Sequence, residues 1–313
     1  MSMAKNISGL ILVDKEKGPT SHDMVNKVRR ILKIQQVGHA GTLDPFASGL
    51  LLIGVGKATR LLEYLQGETK IYKVKMKLGI ITDTFDITGN IMEENQIDIS
   101  EKEIIDAINS FVGTYKQVPP AYSAKKYQGR KLYEFAREGK IINLPPREVT
   151  IYEITNINIE LPYVEFTTKV SAGTYIRSLC MDIGYKLGCG ATAVELRRTR
   201  VGKFTIDDAI ALDEDPSRII ECIKPMEEIL DFPRIVVSDI MKIYNGIHPK
   251  VEDVIFYEEF MKSSLVQVIY ENKLVAIAVA ERNSSFIKTL KEHQRNERIA
   301  TLKKVFKLEE ELQ

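Results

Sequence analysis

A chain of 313 residues is longer than one hydrophobic core usually organises, and this one carries a natural place to divide. Residues 207–232 hold nine acids against two basic residues, the stretch closes at Pro233, and a run of short strand patterns begins at Ile235. The division implied is a large domain over 1–232 and a small β-rich domain over 233–313.

Composition narrows the class. Apolar residues make up 44% and charged residues 28%, as in ordinary globular chains. The longest apolar run, Leu274 to Ala280, is strand-sized, well short of the roughly 18 residues a membrane span needs. Met1 to Asn6 holds no apolar signal core, so the expectation is a cytoplasmic protein with no membrane partner. Cys180, Cys189 and Cys222 form no C-x-x-C pair and read as buried reduced thiols; four histidines at no ligand spacing argue against a metal centre. The net charge of +1 hides segregation. Residues 115–150 carry eight basic residues against three acids, 169–204 seven against two, and 282–307 eight against two. Residues 83–106 carry eight acids and one Lys. Basic stretches sharing a face would attract a phosphate backbone, although solvated helix faces give the same counts.

Gly9 to Asp14 reads as a buried strand, and Ser21 as the cap of a helix with Val25, Val28, Ile31 and Leu32 on one face. A Gly-containing loop, 38–49, leads into a strand over Leu50 to Val55. From Lys70 to Leu78, Tyr72, Val74, Met76 and Leu78 alternate with Lys73, Lys75 and Lys77, a half-buried strand with a basic outer face. Ser100-x-x-Glu103 is a capping box opening a helix to about Phe111. Residues 118–147 read as a long surface insertion with a short helix near Leu132 to Glu138. Strands follow near 148–158 and 163–170, a helix from Thr174 to Gly188, and a strand around 192–204.

Two motifs fail on inspection. Gly54-Val-Gly-Lys-Ala58 lacks the spacing and hydroxyl of a phosphate loop, and Asp83 to Gly89 has Phe85 and Ile87 where a calcium loop needs ligands. The latter reads as an acidic turn. The densest segment is Gly38-His-Ala-Gly-Thr-Leu-Asp-Pro-Phe-Ala-Ser-Gly49, where three glycines in twelve residues imply unusual backbone angles around His39 and Asp44. An Asx turn at Asp44-Pro45 beside a hydrogen-bonded His39 would look the same by residue type.

That segment closely resembles the catalytic loop of the bacterial tRNA pseudouridine-55 synthases, the TruB family. Further elements resemble the family in the same order: Lys15-Glu-Lys-Gly-Pro-Thr-Ser21, Lys70-Ile-Tyr72, Gln117-Val-Pro-Pro-Ala-Tyr-Ser-Ala-Lys-Lys126, Gly173-Thr-Tyr-Ile-Arg-Ser-Leu179 and Leu196-Arg-Arg-Thr199. Glu16 stands where the family usually has Pro, which loosens the exit of the first strand. The resemblance implies an α+β pseudouridine-synthase fold: a large mixed, mainly antiparallel sheet flanked by helices, plus a small C-terminal β-barrel similar to PUA domains.

It also implies an isomerase that needs no cofactor and no metal. Asp44 is then the catalytic carboxylate and Arg177 the guanidinium that pairs with it and keeps it ionised. Whether Asp44 attacks the base, attacks the sugar or assists glycal formation stays open. Tyr72 would stack on the target base, Tyr175 and Leu196 would wall the pocket, and His39 would fill the space left by the flipped uridine. Lys125, Lys126 and Arg130 in the insertion would clamp the RNA stem by its phosphates. The partner implied is the T-arm stem-loop of tRNA, bound by a monomer without a protein partner. An RNA chaperone on the same fold stays in view. A glycosidase-like hydrolase would need a second carboxylate roughly 5–10 Å away, and it is discounted because no second acid sits in a comparable motif.

Overall fold

The alternating segment becomes β4 (Lys70–Leu78), with Tyr72, Val74, Met76 and Leu78 buried, and it lies within a nine-stranded sheet. The structure, a computed structural model, describes residues 7–120, 126–127, 130–131, 145–212 and 215–308. In spatial order the main path is β1 (Gly9–Lys15), β3 (Ser48–Val55), β12 (Ala191–Val201), β4, β11 (Tyr163–Val170), β10 (Arg147–Glu160) and β7 (Gly113–Gln117). β2 (Val37–Ala40) pairs with β3, and β13 (Phe204–Thr205) with β12. β12 runs parallel to β3, whereas its pairing with β4 and those among β4, β11, β10 and β7 are antiparallel, so the sheet is mixed and mainly antiparallel. β3 is buried along its whole length, which explains its unbroken apolar run, Leu50 to Ile53. Two small hairpins stand outside this sheet: β5 (Ile80–Thr82) with β6 (Ile91–Glu94), and β8 (Lys126–Tyr127) with β9 (Arg130–Lys131).

Two helices matter for the site. Ser21–Leu32 buries Met24, Val25, Val28, Ile31 and Leu32. Its cap is Thr20, not Ser21: Thr20 and Asp23 form a reciprocal capping box. Ser21 is drawn inward instead, because its hydroxyl satisfies both backbone groups of Leu43. The helix Ile176–Leu187 buries Ile176, Arg177, Leu179, Cys180 and Ile183, and it ends at Gly188 in the left-handed conformation, φ 78°. Cys180 and Cys189 are buried thiols as expected, but Cys222, just past the short helix Pro216–Glu221, is exposed. Among the described residues no helix is long and apolar enough to cross a membrane.

The described chain separates into two compact units. Ile11–Gly54 and Leu62–Cys222 make one; Ile223 onward gathers Val55–Leu61 and the residues before Ile11 into the other. The second unit holds a five-stranded sheet in the order β15 (Val254–Tyr257), β14 (Arg234–Val237), β16 (Leu265–Tyr270), β17 (Lys273–Ala280) and β18 (Ala300–Val305). Its core includes Ile235, Val237, Val268, Val275 and Ile287. Val55–Leu61 joins it for a local reason: the Arg60 guanidinium donates to Val305 O at 2.7 Å and lies 4.9 Å from the centre of the Phe306 ring.

Candidate active site

The segment that bears Asp44 is a turn strung between β2 and β3 and anchored from several sides. Gly49 enters β3 at φ 105°, and a Cβ there would stand 2.3 Å from the carbonyl oxygen of Arg198, so only glycine permits this approach of β3 to β12. Ser21 Oγ donates to Leu43 O at 3.0 Å and accepts from Leu43 N at 2.8 Å. The fully buried Lys15 ammonium donates to Glu16 O and Pro19 O, both at 2.8 Å, and reaches Pro45 O at 3.5 Å. Burial lowers its pKa to about 8, with the nearby Asp44 charge opposing the shift.

Arg177, 4% exposed, faces two acids. Its Nε lies 2.9 Å from Asp44 Oδ2, and its Nη1 lies 3.1 Å from Asp86 Oδ2 and donates to Thr84 O at 2.8 Å. Asp86 is itself buried and accepts from Thr84 Oγ1, Thr88 N and Thr88 Oγ1. The Asp44 side chain keeps 34% of its surface, so it is the open end of this trio. Burial is the largest influence on the Asp44 carboxyl and pushes its pKa up; Arg177 pulls it down, and Asp86 pushes it further up. Arg177 therefore counteracts a rise it does not overcome.

Asp86 is the residue that sequence reading missed. It sits in the stretch Asp83 to Gly89, read as an acidic turn, and its short hydroxyl neighbours Thr84 and Thr88 were the available sign that a carboxylate there could be satisfied away from water.

A cleft of about 540 Å³ opens over Asp44 and Arg177. His39, Tyr72, Tyr175 and Leu196 all line it, as do Lys70, Arg147 and Arg198. Tyr72 and Leu196 are also core residues, 7% and 5% exposed, so the pocket wall and the sheet's core are one surface here. Tyr175 is set by Gln117, whose side chain accepts from Tyr175 N at 2.8 Å and donates to Tyr175 O at 3.1 Å. Lys125 lies outside the described residues, as does the helix expected near Leu132 to Glu138; Lys126 and Arg130 are described only as backbone in β8 and β9. The cleft is lined by aromatic, aliphatic and cationic groups around Asp44, with the exposed Glu148 as a second acid on its lining, an arrangement suited to a planar base on an anionic backbone.

The fold is shared with a chain of solved H/ACA RNP assemblies. The archaeal box H/ACA sRNP Nop10–Cbf5 complex contains a chain that superposes with TM-score 0.71 at 28% identity, covering 96% of this chain and 86% of that one. An H/ACA RNP bound to a substrate RNA containing 2'-deoxyuridine matches equally well, with TM-score 0.71, 28% identity and coverage of 96% and 85%. The class is that of the pseudouridine synthases, as two family models show. The TruB family pseudouridylate synthase N-terminal domain matches residues 29–176, and the tRNA pseudouridylate synthase B C-terminal domain matches 177–231. Among curated relatives, tRNA pseudouridine synthase B of Thermotoga maritima is 55% identical over 95% of this chain and 98% of its own, and that of Clostridium kluyveri is 45% identical over 87% and 96%. The chain belongs to the TruB family of pseudouridylate synthases.

Proposed function

We propose that this enzyme converts a uridine of the tRNA T-loop, position 55, to pseudouridine, with Asp44 as the catalytic carboxylate. The observation that carries this reading is Asp44 itself, partly open to the cleft and fixed at 2.9 Å by a buried Arg177. The relatives named tRNA pseudouridine synthase B support tRNA as the substrate. The reaction breaks the bond from uracil N1 to C1′, turns the base and joins C5 to C1′; the C5 proton leaves and N1 gains one, so no atom or electron is added overall. A carboxylate suits this as nucleophile, carrying the intermediate covalently between the two bonds. In this reading Arg177 aims it, Tyr72 stacks on the base and helps remove the C5 proton, and Tyr175 and Leu196 complete the wall; that all four line the cleft supports these roles.

A stacked uridine must leave its loop to enter such a cleft, at a cost of a few kcal/mol. His39, half-buried and among the cleft's lining residues, is the wedge for the vacated space. The insertion's Lys125, Lys126 and Arg130 would grip the stem through phosphates. In this reading 1–232 is the catalytic domain and 233–313 a PUA-like RNA-binding domain. The protein acts as a cytoplasmic monomer without a cofactor, and base flipping gives it a tRNA-folding chaperone role besides. The hydrolase alternative draws nothing from Asp86, which is buried against Arg177 and is not among the cleft's lining residues. The other acid on the lining, Glu148, is exposed and is paired with neither Asp44 nor Arg177 in the ion pairs of the described residues.

The test is Asp44→Asn on unmodified tRNA in EDTA, with pseudouridine mapped by position. Product should vanish while affinity stays within about tenfold, or roughly 1.4 kcal/mol. Substantial turnover by the variant would remove Asp44 from the chemistry.

A further inference from the structure

Arg198 is among the largest side chains that are fully buried, at 1% exposure, and it sits where three parts of the site meet. On β12 it lies opposite Tyr72 of β4 and, in the parallel register, opposite Gly49 of β3. Its guanidinium donates to Leu50 O at 2.7 Å through Nε, to Gly41 O at 3.0 Å through Nη2, and approaches Thr42 O at 3.4 Å through Nη1. Gly41 and Thr42 precede Asp44 and Leu50 follows it. One planar cation therefore ties both ends of the turn that presents the carboxylate.

Two features argue that this is more than core filling. A guanidinium buried without a counter-ion is an expensive way to occupy space, and an apolar side chain of similar volume would serve stability as well or better. Among the described residues Arg198 has no ion pair; its charge is spent on carbonyls, which makes each bond charge-assisted and stiff. In addition, Gly49 is compelled to be glycine by the backbone of Arg198 itself, with a would-be Cβ 2.3 Å from its carbonyl oxygen and 2.8 Å from its nitrogen. Backbone and side chain of the same residue thus fix the turn's exit and entry.

We infer that Arg198 is a positioning residue for the isomerisation: through the carbonyls of Gly41, Thr42 and Leu50 it fixes where the Asp44 carboxylate stands relative to Tyr72 and the bound uridine. This rests on Asp44 being the reacting group. Lysine cannot reproduce it, because an ammonium on a flexible stem lacks a rigid fork that reaches carbonyls on two sides at once. A misplacement of about 1 Å is enough to cost on the order of a hundredfold in rate.

Arg198→Lys and Arg198→Met are compared with wild type by thermal melting, tRNA binding, steady-state and single-turnover kinetics, and amide hydrogen exchange over residues 38–50. Expected for Arg198→Lys is a folded protein whose tRNA affinity and KM stay within about threefold and whose kcat falls at least about tenfold. Amides of the turn should exchange faster, and the acid limb of the pH–rate profile should stay where it is. Arg198→Met should lose more activity than Arg198→Lys. Wild-type kcat with wild-type exchange overturns the inference. So does a rise confined to KM, which would make Arg198 a substrate-binding residue, or a displaced acid limb, which would make its effect electrostatic. Failure of both variants to fold assigns Arg198 to the core and overturns it as well. If wild type forms no pseudouridine, the reaction assignment fails, and the exchange measurement still decides whether Arg198 orders the turn.

Discussion

At Arg177 one guanidinium faces Asp44 through Nε and Asp86 through Nη1, while Thr84 O takes a further bond from Nη1. Removing it leaves two acids without their shared cation, and the Asp44 carboxyl, already raised by burial, should rise further. If the ionised carboxylate reacts, the consequence has a definite sign: activity is lost as pH falls, and the Arg177→Met acid limb should lie at higher pH than that of wild type. The rate at neutral pH should drop by roughly a hundredfold or more, as expected when a reacting group is both mis-aimed and partly protonated. Arg177→Lys should recover part of it, since the charge returns without the fork that reaches both acids. A pH–rate profile measured on all three proteins checks this, and an unshifted limb in the Met variant would contradict the electrostatic role. In the same experiment the Arg198 variants should lose rate with the acid limb left in place.

The helix Ile176–Leu187 carries Arg177 into the site, and its first turn is fixed from outside the helix. Gln117 on β7 bonds both backbone groups of Tyr175 and donates to the Tyr115 hydroxyl at 2.6 Å, and that hydroxyl donates to Asp182 Oδ2 at 3.2 Å. Burial pushes the Asp182 carboxyl up to about 6, with its Tyr115 hydrogen bond opposing the shift. The folded chain therefore holds this proton to about pH 6, while the unfolded chain releases it near the ordinary value of 3.8. Folding takes up a proton between those values, so this group's contribution to stability falls as pH rises through the window and stays low above it. Asp182→Asn imitates the protonated form and keeps the acceptor for Tyr115. Its melting temperature should gain on wild type progressively from pH 4 to about 6 and hold a constant lead above. A lead that is the same at pH 4.5 and 7.5 would show that the carboxyl is not the source.

Over the whole molecule, basic residues collect in the last part of the unit built on β14 to β18. Lys288 on the helix Ser285–Glu292 and Lys303 on β18 are exposed. If this unit grips tRNA by its phosphates, Lys288→Gln with Lys303→Gln should weaken binding without changing the rate at saturating RNA. The log–log slope of affinity against salt should become shallower by roughly 0.7–0.9 for every phosphate that the variant no longer neutralises. Binding measured from low to moderate salt decides it, and an unaltered slope means that these charges are merely solvated. Substitution in the full chain is a cleaner probe than truncation. Arg60 donates to Val305 O and Lys304 donates to Arg60 O, so cutting the chain would also strip partners from Val55–Leu61.

What the sequence by itself determined is whatever a few consecutive residues can encode. The alternation in β4, the Ser100–Glu103 capping box and the helix stop at Gly188 depend on backbone geometry within one or two turns, and each forms where the local pattern puts it. The order of motifs from Lys15 to Thr199 likewise needed no tertiary structure to place the chain in its family. What only the tertiary structure decided is which distant charges meet. Arg177 reaches Asp86 across 91 positions and Arg198 reaches Gly41 across 157. No local pattern records such pairs, because they follow from sheet register and from which strand lies beside which. The same cause explains Ser21, which looked like a helix cap and instead satisfies Leu43 inside the fold. It also explains Asp86, an unremarked acid in a turn until β5 and β6 bring its loop to the guanidinium that also meets Asp44.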